Sequence, residues 1–350
     1  MNISSEQQRR DELILASLFE KDFSIDWLLE ISDTKASQIL GCLESEVEKG
    51  TLLSKGQGWF VFQDQKRKQE LFGCLTALER ESYHRKIAAV IQRDFSDDDA
   101  VALEIASHLI NTSNNIESCQ WLFKAAEVQQ NAHHPELAFK YYLKIVEDLS
   151  QSEEDEANAL FIDTAISISK NSAVFIKPGA VIAILENALL RAKKRNDEKL
   201  MIQLELHIAK NEWVRGNTSL AYSRYINGLS LADYIADEDL HNSIMLFKVW
   251  FNFWFGRYAE AVREYKKYIP DIDQYPTSQF PILTSIVVGD CLIFSGQYSE
   301  GLGLLNALYD HCQKIGDMQN AAMAELGLGY GFVGIRMPEE ALPHLANALS

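Results

Sequence analysis

The C-terminal half of this 350-residue chain repeats one small-residue pattern every 40 residues. Gly216, Gly256, Gly296 and Arg336 stand in register. Five residues after each come Ala221, Ala261, Gly301 and Ala341, and four further on Tyr225, Tyr265, Leu305 and Leu345. Seven residues before the first column lie Ala209, Val249, Gly289 and Gly329. A fixed period with small residues at fixed offsets marks stacked supersecondary units, none of which can bury its apolar face alone.

The columns have a physical reading. The glycine column falls where one helix must stop and the chain reverse, which a left-handed residue permits. Small residues seven positions earlier let paired helices approach closely. The alanine column marks the crossing point on the second helix, and the large residue four positions on fills the gap one turn away. This packing code predicts an all-α fold, a superhelix of helical hairpins over 93–350 that is regular from about 201. Ala138 with Tyr142, and Val181 with Leu185, show the same four-residue spacing, so a looser form of the stack is expected from about 117. Val249 and Arg336 depart from the column preferences, and their repeats are expected to pack less regularly. Such a stack usually offers a binding surface rather than a reaction vessel.

Residues 1–92 read differently. QRRDELILASLFEK has helical spacing, and Ser24 can cap a second helix, IDWLLEI. A third over 34–49 is expected to be capped by Asp33 or Thr34 and closed by Gly50. TLLSKGQGWFVF then gives two β-prone runs around a glycine-containing turn, a hairpin signal. Three helices followed by a hairpin is the order of a winged helix. Two connecting helices are expected up to residue 95, and no strand signal appears beyond 100. Pro135 is placed to open a helix, where its missing N–H costs nothing.

Composition excludes several classes. A net charge of −17 repels phosphate backbones, so broad nucleic-acid binding is disfavoured. No apolar run is long enough to span a membrane, and the N-terminus lacks a signal-peptide core. Five cysteines, Cys42, Cys74, Cys119, Cys291 and Cys312, are scattered and never form C-x-x-C. They predict buried thiols in a reducing cytoplasm, with neither a disulfide framework nor a metal site. The acidic runs DFSDDDA and SQSEEDEAN read as solvated surface.

The columns resemble the tetratricopeptide family, with Ala209-Gly216-Ala221-Tyr225, Gly256-Ala261-Tyr265, Gly289-Gly296-Gly301-Leu305 and Gly329-Ala341-Leu345 as the matching positions. The period is longer than that family's usual one, which implies longer helices or linkers. The run from Trp59 onward is similar to the end of the winged helix in STAND-type signalling ATPases, relatives of the maltose-regulon activator. The matching residues are Phe60, Phe62, Asp64, His84 and Ile87, with Gln63 where the family has a histidine. No G-x-x-x-x-G-K-[ST] occurs, so the chain has no phosphate-cradling loop. The resemblance therefore implies a piece that follows an ATPase domain, or a relative that lost it. PEEALPHLANALS ends without a polar capping helix, so a truncated chain, or an effector domain beyond Ser350, is expected.

Two surfaces are candidates for function. By the tetratricopeptide resemblance, the residues facing the concave groove are Gln203, Lys210, Trp213, Trp250, Phe253, Trp254, Asp290, Phe294, Met323 and Tyr330. KVWFNFWFGRY is unusually aromatic. Its rings either fill the core between hairpins or form a partner groove for a protein, peptide or small inducer. The second surface is the winged helix, where Lys66, Arg67 and Lys68 could meet a phosphate. The helix in the recognition position sets Lys35, Gln38 and Lys49 against Glu44, Glu46 and Glu48, which favours intramolecular contacts over DNA. His133 and His134 read as a polar turn. The other histidines are scattered, with nothing in the sequence to converge them, and no catalytic motif or cofactor signature appears. The expectation is a non-enzymatic regulatory module that binds a ligand in its repeats and relays it through the winged helix. A DNA-binding regulator and a passive assembly scaffold remain alternatives.

Overall fold

The structure is a computed structural model. It describes residues 3–32, 34–94, 99–171, 176–232, 235, 237–267 and 281–348. The chain divides into two compact units, Met1–Asn171 and Ser172–Ser350.

The first unit opens with α1 (Ile3–Ala16), β1 (Phe23–Ser24), α2 (Ile25–Ile31), α3 (Ala36–Glu48), β2 (Leu52–Gly56) and β3 (Trp59–Phe62). Ser24 caps α2 as expected, its Oγ accepting the Asp26 N–H at 3.1 Å. The cap of α3 differs. Its N-cap is Lys35, with no side-chain bond, and the Thr34 N–H is instead donated to Ser32 Oγ at 3.4 Å. Asp33 lies outside the described residues, as does 95–98 of the acidic loop. Gly50 closes the helix at φ 77°. The hairpin turns through Gln57 (φ 52°) and Gly58 (φ 81°), two successive left-handed residues whose twist suits paired strands. A third strand escaped the sequence reading: β1 pairs antiparallel with β3, Phe23 opposite Phe60, giving the order β1-β3-β2. Two residues are too few to show a period. Phe19, Phe23, Trp27, Phe60 and Phe62 bury one face of this small sheet.

The unit continues through α4 (Gln65–Phe72), α5 (Ala77–Asp94), α6 (Asp99–Leu109), α7 (Ile116–Asn131), α8 (Pro135–Asp148) and α9 (Asp155–Asn171). Pro135 stands at the first turn of α8, and Ala138 and Tyr142 are buried there. α5 packs against both α2 and α6, which joins the N-terminal segment to the helices that follow. The compact division falls at 171/172. Two further expectations are corrected here. Cys74 is exposed, because it lies just past the end of α4, whereas the other four thiols are buried. His84 and His108 are not scattered: their Nδ1 atoms share a hydrogen bond of 2.9 Å in the buried seam between α5 and α6.

The second unit comprises α10 (Pro178–Lys194), α11 (Glu198–Arg215), α12 (Thr218–Ala232), α13 (Glu238–Trp254), α14 (Tyr258–Lys266), α15 (Ile282–Phe294), α16 (Tyr298–Ile315), α17 (Met318–Gly334) and α18 (Pro338–Asn347). From α11 onward these pair as hairpins, and the first helices α11, α13, α15 and α17 each pack against the next. The predicted columns do what packing requires. Gly216, Gly256 and Gly296 end first helices at φ 95°, 68° and 84°. Arg336 takes the same conformation at φ 64° without being glycine. Ala209, Val249, Ala221, Ala261 and Ala341 are buried, and Leu305 and Leu345 occupy the space above Gly289 and Gly329. Val249 is accommodated without exposure, in one core with Ala261 and Tyr265, and the Tyr265 hydroxyl shares a 2.8 Å hydrogen bond with Ser285.

Candidate ligand-binding face of the repeats

Six residues before each member of the turn column stand Lys210, Trp250, Asp290 and Tyr330, one on each first helix. Because the first helices lie side by side, this spacing makes them a row across the second unit. Aromatic rings flank the row. Trp213 and Trp254 stack nearly parallel, with centroids 5.2 Å apart and planes 7° apart, and Trp250 meets Trp254 at 5.5 Å. The Trp250 indole N–H is donated to Thr284 Oγ1 at 3.3 Å, which ties α13 to α15. A second chain runs from Phe253 to Phe294 at 6.5 Å and on to Tyr330 at 6.1 Å.

These rings lie between the core and solvent. Trp213 and Trp254 pack against the core of the α11–α13 layer, and Trp250 and Phe253 against that of the α13–α17 layer. All four are only partly buried, while Phe294 and Tyr330 are 45% and 44% exposed. Seven residues before Lys210 and Tyr330 respectively, Gln203 is half-buried and Met323 exposed. They share the helices α11 and α17 with the row. Sequence reasoning missed Phe255, 4.9 Å from Trp213, and Tyr258, 5.2 Å from Phe294. Both belong to the same aromatic run, which was the available signal.

Two charged groups share this row. Burial lowers the Lys210 ammonium to about 8 and pushes the Asp290 carboxyl up to about 7. Asp290 Oδ1 is buried, and among the described residues no donor reaches it. It lies against Gly327 of α17, where a Cβ would collide with it.

The basic run after the hairpin forms the first turn of α4. Lys68 donates to the Glu20 carbonyl at 3.2 Å, Arg67 pairs with Glu70 at 3.3 Å, and Lys66 is exposed. Burial lowers the Lys68 pKa. His133 sits in a turn at φ 58° ahead of α8. Among the described residues no group of three or more His, Cys, Asp or Glu side chains could hold a metal, and no helix is long and apolar enough to cross a membrane.

No family model matches the chain, and no curated protein does. Among solved structures, it is similar to the Rap protein complexed with competence and sporulation factor. That likeness has a TM-score of 0.50 and 14% identity, covering 99% of this chain and 97% of the other. A signal transduction ATPase with numerous domains (STAND) carrying a tetratricopeptide repeat sensor, from Pyrococcus horikoshii, aligns over 97% of this chain with a TM-score of 0.44 and 14% identity. The chain spans 56% of that protein's length. Repeat columns, hairpin stacking and the full-length likeness together establish an all-α, tetratricopeptide-like helical-repeat fold with a small three-stranded sheet near its N-terminus.

Proposed function

We propose that the chain is a non-enzymatic regulatory sensor whose first-helix row in the second unit binds a peptide, a protein segment or a small inducer. The observation that carries this reading is the run of partly exposed rings from Trp213 to Tyr330, interrupted by Lys210 and Asp290. Apolar surface with a few placed polar groups is the composition of a ligand site, and Trp and Tyr dominate binding hot spots. The Rap structure, a likeness in fold alone, is itself a complex with a named factor, which is consistent with a bound partner here. The N-terminal helices and hairpin act as a winged helix that relays occupancy to an effector or ATPase domain linked to this chain, in a cytoplasmic signalling or transcription-control protein. Binding shifts the population between two states of the sensor, by as much as the ligand's affinity differs between them.

The test is selection from a random peptide library displayed against the full chain, alongside Trp250→Ala/Trp254→Ala verified as folded by circular dichroism. Selected peptides should bind the wild type and lose roughly tenfold or more in the double variant, the scale of an interface hot spot. Equal binding by both proteins would place the working surface elsewhere.

A further inference from the structure

Resting on that binding face, we infer that Asp290 is the anchor for a positive charge on the ligand, namely a lysine or arginine side chain of a bound peptide. Four observations converge on it. The carboxylate is partly buried, and its Oδ1 is shut off from solvent with no hydrogen-bond donor among the described residues, so only the other oxygen is open to a ligand. A carboxylate so placed is costly unless something pairs with it. Gly327 leaves the space that the oxygen occupies; any side chain there would displace it. The neighbours in its row on the adjacent helices are Trp250 and Tyr330, and Phe294 lies one turn along its own helix. Aromatic rings in the same row suit an ammonium or guanidinium better than a neutral donor, because the ring quadrupole attracts the cation. Finally, a chain of net charge −17 draws basic ligands toward it and repels acidic ones.

The ligand's cation meets the carboxylate at its other oxygen, Oδ2, because Oδ1 is sealed against Gly327. In the free protein, burial holds the carboxyl up at about 7. A cation seated beside it would favour the ionised form, so binding releases a proton and strengthens as the pH rises from 6 to 8.

The experiment uses a positional library of hexapeptides, acetylated and amidated so that only side chains carry charge. It compares the full-length wild type, Asp290→Asn and Trp250→Ala/Trp254→Ala. The wild type should enrich lysine or arginine at one position. Asp290→Asn should lose that enrichment and bind the selected peptide roughly thirtyfold or more weakly, as when one partner of a buried charge pair is removed. Replacing the basic residue by glutamine should bring the two proteins to equal affinity. Persistence of the basic preference in Asp290→Asn, or its absence in the wild type, overturns the inference. If the wild type shows no basic preference but the tryptophan variant still loses binding, the charge anchor fails while the binding face stands. If no peptide distinguishes the wild type from the tryptophan variant, both fall together.

Discussion

Leu305 of α16 lies so close above Gly289 of α15 that a Cβ on the glycine would stand 2.7 Å from the leucine Cγ. No real side chain tolerates that approach, and both residues are buried. Gly289→Ala should therefore destabilise the second unit by about 1–3 kcal/mol, the usual cost of overpacking. Adding Leu305→Ala should relieve the clash, so the double variant loses less than the sum of the two singles. Chemical denaturation of the four proteins measures the coupling. Additive losses would mean that the helices simply slide apart.

Arg336 holds at φ 64° a place that glycine fills in three other repeats. The left-handed conformation costs a residue with a Cβ roughly 1–2 kcal/mol. Arg336→Gly should raise stability by about 1 kcal/mol, less the greater freedom glycine has in the unfolded chain. Gly256→Ala, at φ 68°, should lower it by a similar amount. The two melting temperatures are expected to move in opposite directions.

Asp290 should give the second unit a pH-dependent stability. Its carboxyl titrates near its ordinary 3.8 in the unfolded chain and near about 7 in the fold. Between those values the folded state holds a proton that the unfolded state has released, so stability falls as the pH rises from 4 to 7. Asp290→Asn removes that slope. It should melt above the wild type at pH 7.5 and converge with it near pH 4. A constant difference across the range would assign the effect to packing.

His84 works in the opposite direction. Burial, with His108 and Arg80 nearby, lowers His84 from 6.5 to about 4, and Glu104 stands 3.6 Å from the far side of His108. The unfolded chain binds a proton between those values that the folded His84 refuses. Stability is then present above pH 6.5 and is lost as the pH falls toward 4, by about 3 kcal/mol over the full window. His84→Gln should flatten this dependence in denaturation followed at pH 7.5 and 5.0.

How far the sequence could be read depends on what each feature leaves in the order of residues. The hairpin stack was legible because Ala209, Ala221 and their successors recur at one offset, and packing that repeats in space repeats in sequence. The Gln57–Gly58 turn was legible from local chemistry. β1 was not, since Phe23 and Ser24 form a strand only because Trp59 and Phe60 stand beside them. The meeting of His84 with His108 depends on how α5 lies on α6, and no period links the two. Asp290 could be placed in the row from its column position. Its isolation could not, because the oxygen lies against Gly327 on another helix, and only the three-dimensional register shows that no donor among the described residues arrives.

The near-parallel stack of Trp213 on Trp254, with Trp250 at its edge, gathers three of the chain's six indoles in one place. Transition dipoles at this separation couple, so the cluster has its own exciton signature in circular dichroism and its own quenching in fluorescence. Trp27 and Trp59 meet edge to face at 5.1 Å in the first unit, a geometry with a different spectrum. The protein thus carries an unlabelled optical gauge at the face proposed here for ligand binding, and any molecule that parts or tightens those rings can be titrated by light alone.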